Sequence, residues 1–143
     1  MRGKNRRRGV TLIEMLAVLV IIGLVATVAV INVMDRMERG RVDFAKGQID
    51  TLRQATNLFK MDHGKYPDSL QDLVTSPGWI KKPYPEGGYL QQTTVPADPW
   101  GNPFSYVQDT ASRFTITCYA RDGQPGGTGY DADLTNHDTE TPK

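Results

Sequence analysis

Three carboxylates, Asp122, Asp131 and Asp133, fall within one glycine-rich stretch, Arg121 to Leu134 (RDGQPGGTGYDADL). The glycines between them let the backbone turn tightly and bring carbonyl oxygens toward the carboxylates. Hard oxygen donors on a flexible loop suit Ca²⁺, which accepts about six to eight oxygens without strict geometry. The EF-hand spacing is absent, so residue types alone leave two readings open, a calcium loop or a solvated acidic loop. The same stretch spells Gly127-x-Gly129-x-x-Ala132, formally a dinucleotide fingerprint. Asp131 and Asp133 would repel a pyrophosphate and no amphipathic helix follows, which argues against that use.

Catalytic chemistry finds little to work with. The chain contains no G-x-S-x-G, H-E-x-x-H or P-loop pattern. Its two histidines, His63 and His137, fall at a predicted helix end and in a polar tail. Cys118 is the single cysteine, which excludes an internal disulfide and any multi-cysteine metal site. It reads most simply as a small buried hydrophobe. The expectation is a protein that is not an enzyme.

Glu14 is the other residue with chemistry to explain. It heads an apolar run, Val10 to Val33, with 20 uncharged residues between it and Asp35. A carboxylate there needs solvent or a cation, and no Lys, Arg or His follows until Arg36. Two readings stand: solvation at headgroup depth, or a positive charge supplied by another molecule.

The surrounding elements follow from pattern. At about 1.5 Å per residue the apolar run reaches roughly 30 Å, a bilayer core, and predicts a transmembrane helix over 10–34. Five of the 17 basic residues (Arg2, Lys4, Arg6, Arg7, Arg8) precede it, which predicts a cytoplasmic N-terminus, a single inner-membrane pass and a periplasmic remainder. Without those five the chain holds 12 basic against 16 acidic residues, a balance that speaks against nucleic acid. Beyond Asp35, Val42, Ala45, Ile49, Leu52, Ala55 or Thr56, and Phe59 recur at helical spacing and predict an amphipathic stalk over 35–62. The stripe reads as core, and the charges of Asp35 to Asp43 as a solvated face or as ion pairs between subunits. All nine prolines lie beyond Gly64, where a small β domain is predicted over 63–134, followed by a polar tail over 135–143. Ser69–Thr75 suggests a short helix. Gly88–Thr94, Pro103–Gln108 and the alternating Arg113–Tyr119 suggest strands. Asp98-Pro99-Trp100-Gly101 suits a type I turn pinned by Trp100.

The segment Arg6 to Glu14 (RRRGVTLIE) resembles the class III leader of type IV pilins and of type II secretion pseudopilins. Tyr66-Pro67, YPEGGY (Tyr84 to Tyr89), DPWG and the closing RDG…DAD loop resemble, in that order, the major pseudopilin family of type II secretion. The resemblance implies an α+β, type IV pilin-like fold: a long membrane-spanning and then amphipathic helix on a small antiparallel sheet with a metal-binding loop. It implies removal of a basic leader, 1–9, by prepilin peptidase between Gly9 and Val10, and N-methylation of Val10. It makes Glu14 the carboxylate that meets a neighbouring subunit's amine. It implies structural Ca²⁺ held by Asp122, Asp131 and Asp133 with the carbonyls of Tyr119 and Gln124. The expected partners are further copies in a helical periplasmic filament, minor pseudopilins, prepilin peptidase, the inner-membrane assembly platform and the secretion ATPase complex, with no nucleic acid. The implied function is the major subunit of a pseudopilus that drives folded exoproteins across the outer membrane. The alternative is a type IV pilin or a DNA-uptake pseudopilin. One cysteine, where adhesive pilins commonly close a loop with two, and a net acidic body favour the secretion reading.

Overall fold

A computed structural model describes residues 9–138. The basic stretch expected as a leader, up to Arg8, and the end of the expected tail, from Thr139, lie outside the described residues. By internal contacts the chain divides into two units, up to Met37 and from Glu38 onward.

One helix, α1, runs Leu12–His63. No proline interrupts it, and it passes through Gly40 and Gly47, each a cost of about 1 kcal/mol relative to Ala, without a break. Lys60 and His63 place positive charge in its last turn, and Gly64 follows at φ +79° to end it. The expected membrane-spanning segment is not upheld. Among the described residues no helix is long and apolar enough to cross a membrane, and this overturns both the spanning helix over 10–34 and the single-pass inner-membrane topology. Glu14 places a charge near the start of the apolar stretch of α1. Past Met34 the helix turns polar, with Asp35, Arg36, Glu38 and Arg39 in close succession.

The second unit is built on the buried stripe of α1. Ala45, Ile49, Thr56 and Phe59 are fully buried and Leu52 and Ala55 nearly so, as the helical spacing predicts, while Val42 is half-buried. Each large member contributes about 1.5–3 kcal/mol by burial. They share one core with Tyr66, Leu70, Leu73, Phe104, Phe114, Ile116 and Cys118.

A three-stranded antiparallel sheet completes the fold, in the order β1 (Ser105–Thr110), β2 (Arg113–Cys118), β3 (Leu134–Thr135). In β2 the alternation is realised: Phe114, Ile116 and Cys118 are buried, and Thr115 and Thr117 are half-exposed. β3 pairs Thr135 with Thr117 and Leu134 with Cys118. Buried Asn136 extends that ladder with its side chain, accepting from the Ile116 N–H at 2.7 Å and donating to the Phe114 carbonyl at 3.3 Å. The expected strand at Gly88–Thr94 is a run of turns instead, because Gly87, Gly88 and Gln91 all take positive φ. Gly88 is required there, since a Cβ would stand 2.6 Å from the Leu73 carbonyl oxygen. The helix suggested over Ser69–Thr75 is a single 3-10 turn, Leu70–Leu73.

Candidate functional site

The first unit presents its chemistry at the start of α1. Gly9 and Val10 precede the helix in irregular, exposed chain. Glu14 is held locally: its Oε2 accepts from the Thr11 backbone N–H at 3.0 Å and from the Thr11 hydroxyl at 3.2 Å. The Glu14 N–H donates back to Thr11 Oγ1 at 3.3 Å. This is a capping box, two orphan helix-start donors satisfied reciprocally. Its signal, Thr-x-x-Glu before an apolar run, is legible in the sequence. Beyond it, Leu12, Ile13, Leu19, Val20, Ile21 and Leu24 are each 60–81% exposed, a continuous apolar surface of the kind that marks interaction sites.

In the second unit, Asp98 is the hub of the DPWG turn. Buried at 5% exposure, its Oδ1 accepts from the N–H of Trp100 (3.0 Å) and of Asn102 (2.8 Å). Its Oδ2 accepts from Cys118 Sγ at 3.2 Å. The Gly101 N–H donates to the Asp98 carbonyl at 3.0 Å, closing the turn, and Gly101 takes φ +94°. The Trp100 indole N–H then donates to Glu38 Oε2 at 3.0 Å, and Arg41 pairs with Glu38 Oε1 at 3.1 Å. Arg39 Nε donates to the Tyr130 hydroxyl at 3.3 Å. The charged start of the stalk is therefore engaged by the chain's own turn and loop. Burial first, then the neighbouring Asp98, pushes the Cys118 thiol up to about 12, which leaves it protonated and unreactive.

The acidic loop does not converge. Asp131 is taken by Arg121, whose Nε and Nη2 donate to its two oxygens at 2.8 and 2.9 Å; that pairing raises the Arg121 pKa. Asp122 Oδ1 accepts from the Gln124 N–H at 3.1 Å, and Asp133 Oδ2 from the Gly126 N–H at 2.9 Å. The Tyr119 carbonyl accepts from the Gly123 N–H at 3.2 Å. Among the described residues no group of three or more His, Cys, Asp or Glu stands close enough to hold a metal. The metal-binding loop expected as part of the fold is thus not found, because each carboxylate has turned to a protein donor. One oxygen is left over: Asp133 Oδ1 is buried without a hydrogen-bond partner.

The histidines lie in different settings. His63 Nε2 is 2.9 Å from the Tyr89 hydroxyl, which donates to Asp62 Oδ2 at 2.7 Å. His137 Nε2 is 3.2 Å from Thr115 Oγ1.

The family described as type II secretion system (T2SS), protein G, matches residues 32–137. The chain belongs to that family. A prokaryotic N-terminal methylation motif also matches residues 4–30. The chain is 37% identical over 130 residues to the type II secretion system core protein G of Xanthomonas campestris pv. campestris, covering 88% of this chain and 87% of that one. It is 36% identical over 136 residues to the core protein G of Pseudomonas aeruginosa, covering 91% and 94%. The fold is similar to the crystal structure of the major pseudopilin from the type 2 secretion system of enterohaemorrhagic Escherichia coli. That likeness has a TM-score of 0.61 and 22% identity, and covers 77% of this chain and 93% of that one. The α+β pilin-like architecture with a small antiparallel sheet is therefore shared. As a protein G family member the chain is a non-catalytic structural subunit, the major pseudopilin of a type II secretion pseudopilus, and associates with that machinery.

Proposed function

We propose that the chain is cut between Gly9 and Val10, N-methylated on Val10, and polymerised through Glu14 into a homopolymer that moves folded proteins outward. Prepilin peptidase would do the cutting. Minor pseudopilins, an assembly platform and a secretion ATPase would be the other partners. The observation that carries this reading is an exposed apolar helix headed by a single carboxylate. Burying each Leu, Ile or Val of that helix against neighbouring copies contributes about 1.5–3 kcal/mol. A few such side chains therefore offset an association cost of roughly 4–15 kcal/mol. An ionised Glu14 drawn into the same contact needs a cation, and the amine of a neighbouring Val10 is one. Recruitment is then an exchange, in which Glu14 leaves the Thr11 donors for that amine.

Glu14→Gln tests the exchange, because glutamine at this position sustains a capping box but carries no charge. Correctly trimmed Glu14→Gln protein should keep its helix start and give at least about tenfold less filament, a difference of about 1.4 kcal/mol. Normal filament yield would overturn the assembly role. Mass spectrometry of the mature N-terminus should find Val10 bearing one methyl group, and an intact leader would overturn the processing.

We also propose calcium as a ligand, a reading that rests on the orphaned Asp133 Oδ1. An uncompensated buried carboxylate oxygen is costly, and a hard cation is a fitting partner for it. Asp122 and the carbonyls of Tyr119 and Gln124 would be the other donors, while Asp131 is committed to Arg121. Calcium should raise the melting temperature of the wild type and leave Asp133→Asn unmoved. An identical wild-type melt in calcium and in EDTA would remove calcium from the account.

A further inference from the structure

A cleft of about 400 Å³ lies beside the exposed flank of α1 in the second unit, walled by Phe44, Gly47, Thr51, Leu52, Leu90 and Pro96. Phe44 is 62% exposed at its edge, and the exposed Asp43 stands at its mouth. Gln48 lines the same cleft: its Nε2 donates to the Ala97 carbonyl at 3.0 Å, while its Oε1 is buried without a partner. The cleft therefore offers an apolar wall with one carboxylate beside it, while Gln48 Oε1 is enclosed by the chain itself. Its complement would be an apolar ring flanked by a cation.

This chain has such a group at the other end of its stalk. Trp79 is exposed on a loop, and its ring is set edge-on to Phe59 at 5.9 Å between centroids. Lys65 Nζ lies 3.7 Å over the ring, and the exposed Lys81 follows two residues on. An indole is a large apolar body with one N–H donor and no acceptor. The two patches lie at different heights: about fifteen helical residues, ~22 Å, separate Gly47 of the cleft from the Phe59–His63 turn. One copy cannot close on itself in this way. A patch that meets a different patch on the next copy gives a head-to-tail, non-closing series.

We infer that Trp79 of one copy seats in the Phe44–Pro96 cleft of the next, with Lys81 facing Asp43. The inference rests on the filament reading and names a contact within it. The test uses the full chain in cells that form filaments. One chain carries Phe44→Cys and a co-expressed chain carries Trp79→Cys; buried, protonated Cys118 does not compete. Mild oxidation should give a covalent dimer that needs both substitutions. Filaments that form normally without that dimer would overturn the contact and leave the filament reading standing, whereas failure of the wild type to form filaments would count against the filament reading itself. Crosslinking of the Phe44→Cys chain to a different protein, independent of Trp79→Cys, would also overturn it. As a second arm, Asp43→Lys and Lys81→Asp should each lower filament yield at least about tenfold, and the double exchange should restore it. No recovery in the double variant would count against the pairing.

Discussion

Asp98 offers the sharpest test of how the DPWG turn holds the second unit together. Its two oxygens have separate duties: Oδ1 satisfies the backbone N–H groups of Trp100 and Asn102, and Oδ2 takes the Cys118 thiol. Asp98→Ala removes the two oxygens that accept all three hydrogen bonds in a site where the carboxylate was 5% exposed. Leaving a buried N–H unmet costs about 1–3 kcal/mol. Trp100 and Asn102 are only partly buried, so the lower half of that range applies, roughly 3 kcal/mol for the site. For a unit of this size 1 kcal/mol moves the melting temperature by about 4–8 °C, giving a fall of at least roughly 12 °C. Asp98→Asn should be milder, because its remaining oxygen can serve both N–H groups and only the thiol contact is lost. About 1 kcal/mol, or roughly 5 °C, is expected. Thermal unfolding followed by near-ultraviolet circular dichroism reads both variants. An alanine variant melting within about 2 °C of wild type would refute the accounting, as would an asparagine variant as damaged as the alanine one.

Other positions give independent checks. Gly127→Ala would set a Cβ 2.1 Å from the Asp131 carbonyl oxygen at φ +80°, whereas Gly126→Ala meets only open space at φ +104°; hydrogen exchange across 122–133 should accelerate far more in the first. Hydrogen bonds from Arg53 and then Gln54 lower the Asp50 pKa. A depressed carboxylate contributes stability above its unfolded value of about 4 and loses it as pH falls through the folded value. Arg53→Met should therefore flatten the loss of stability below about pH 4, by a small amount because the pair is partly exposed. The Cys118 thiol, pushed up to about 12, stabilises the fold fully below the unfolded thiol value of about 8.5 and progressively less above it. Denaturant midpoints should begin to drop from about pH 9 in the wild type, while in Cys118→Ala the drop should begin only near about pH 10, where the half-buried tyrosines Tyr84, Tyr89 and Tyr106, whose pKa values are also raised, take over; iodoacetamide at pH 8 should label Cys118 only after unfolding.

Much of the second unit was legible because its elements obey a clear period. Ala45, Ile49, Leu52 and Phe59 repeat at helical spacing and are buried, and Phe114, Ile116 and Cys118 alternate and are buried. What failed has local causes. Gly88–Thr94 has the β-branched residues of a strand, yet three positive φ angles nearby make it a turn series. β3 is two residues long, too short for any period, and its completion by the Asn136 side chain leaves no mark in a hydropathy pattern. The acidic loop misled in another way. Three carboxylates in a glycine-rich loop suggest ligands, but Arg121 directly precedes Asp122, and an arginine in so tight a loop is a competing, bidentate partner.

The start of α1 shows why composition alone could not say what surrounds it. A uniformly apolar helix has no period that distinguishes one apolar surrounding from another, and among the described residues no helix is long and apolar enough to cross a membrane. What the residues do fix is the state of Glu14. Thr11 holds both the helix start and the carboxylate, so the acid is not an unmet charge waiting in the free subunit. In the proposed assembly, a neighbour's amine would therefore have to offer more than the Thr11 hydroxyl and N–H already do. It can, because a charge-assisted contact between ions strengthens as water leaves, whereas the capping box is worth most where the helix start remains exposed. On the proposed exchange, the same carboxylate would favour the free subunit in water and the assembled one in an apolar contact, with burial of the surrounding Leu, Ile and Val side chains deciding between them.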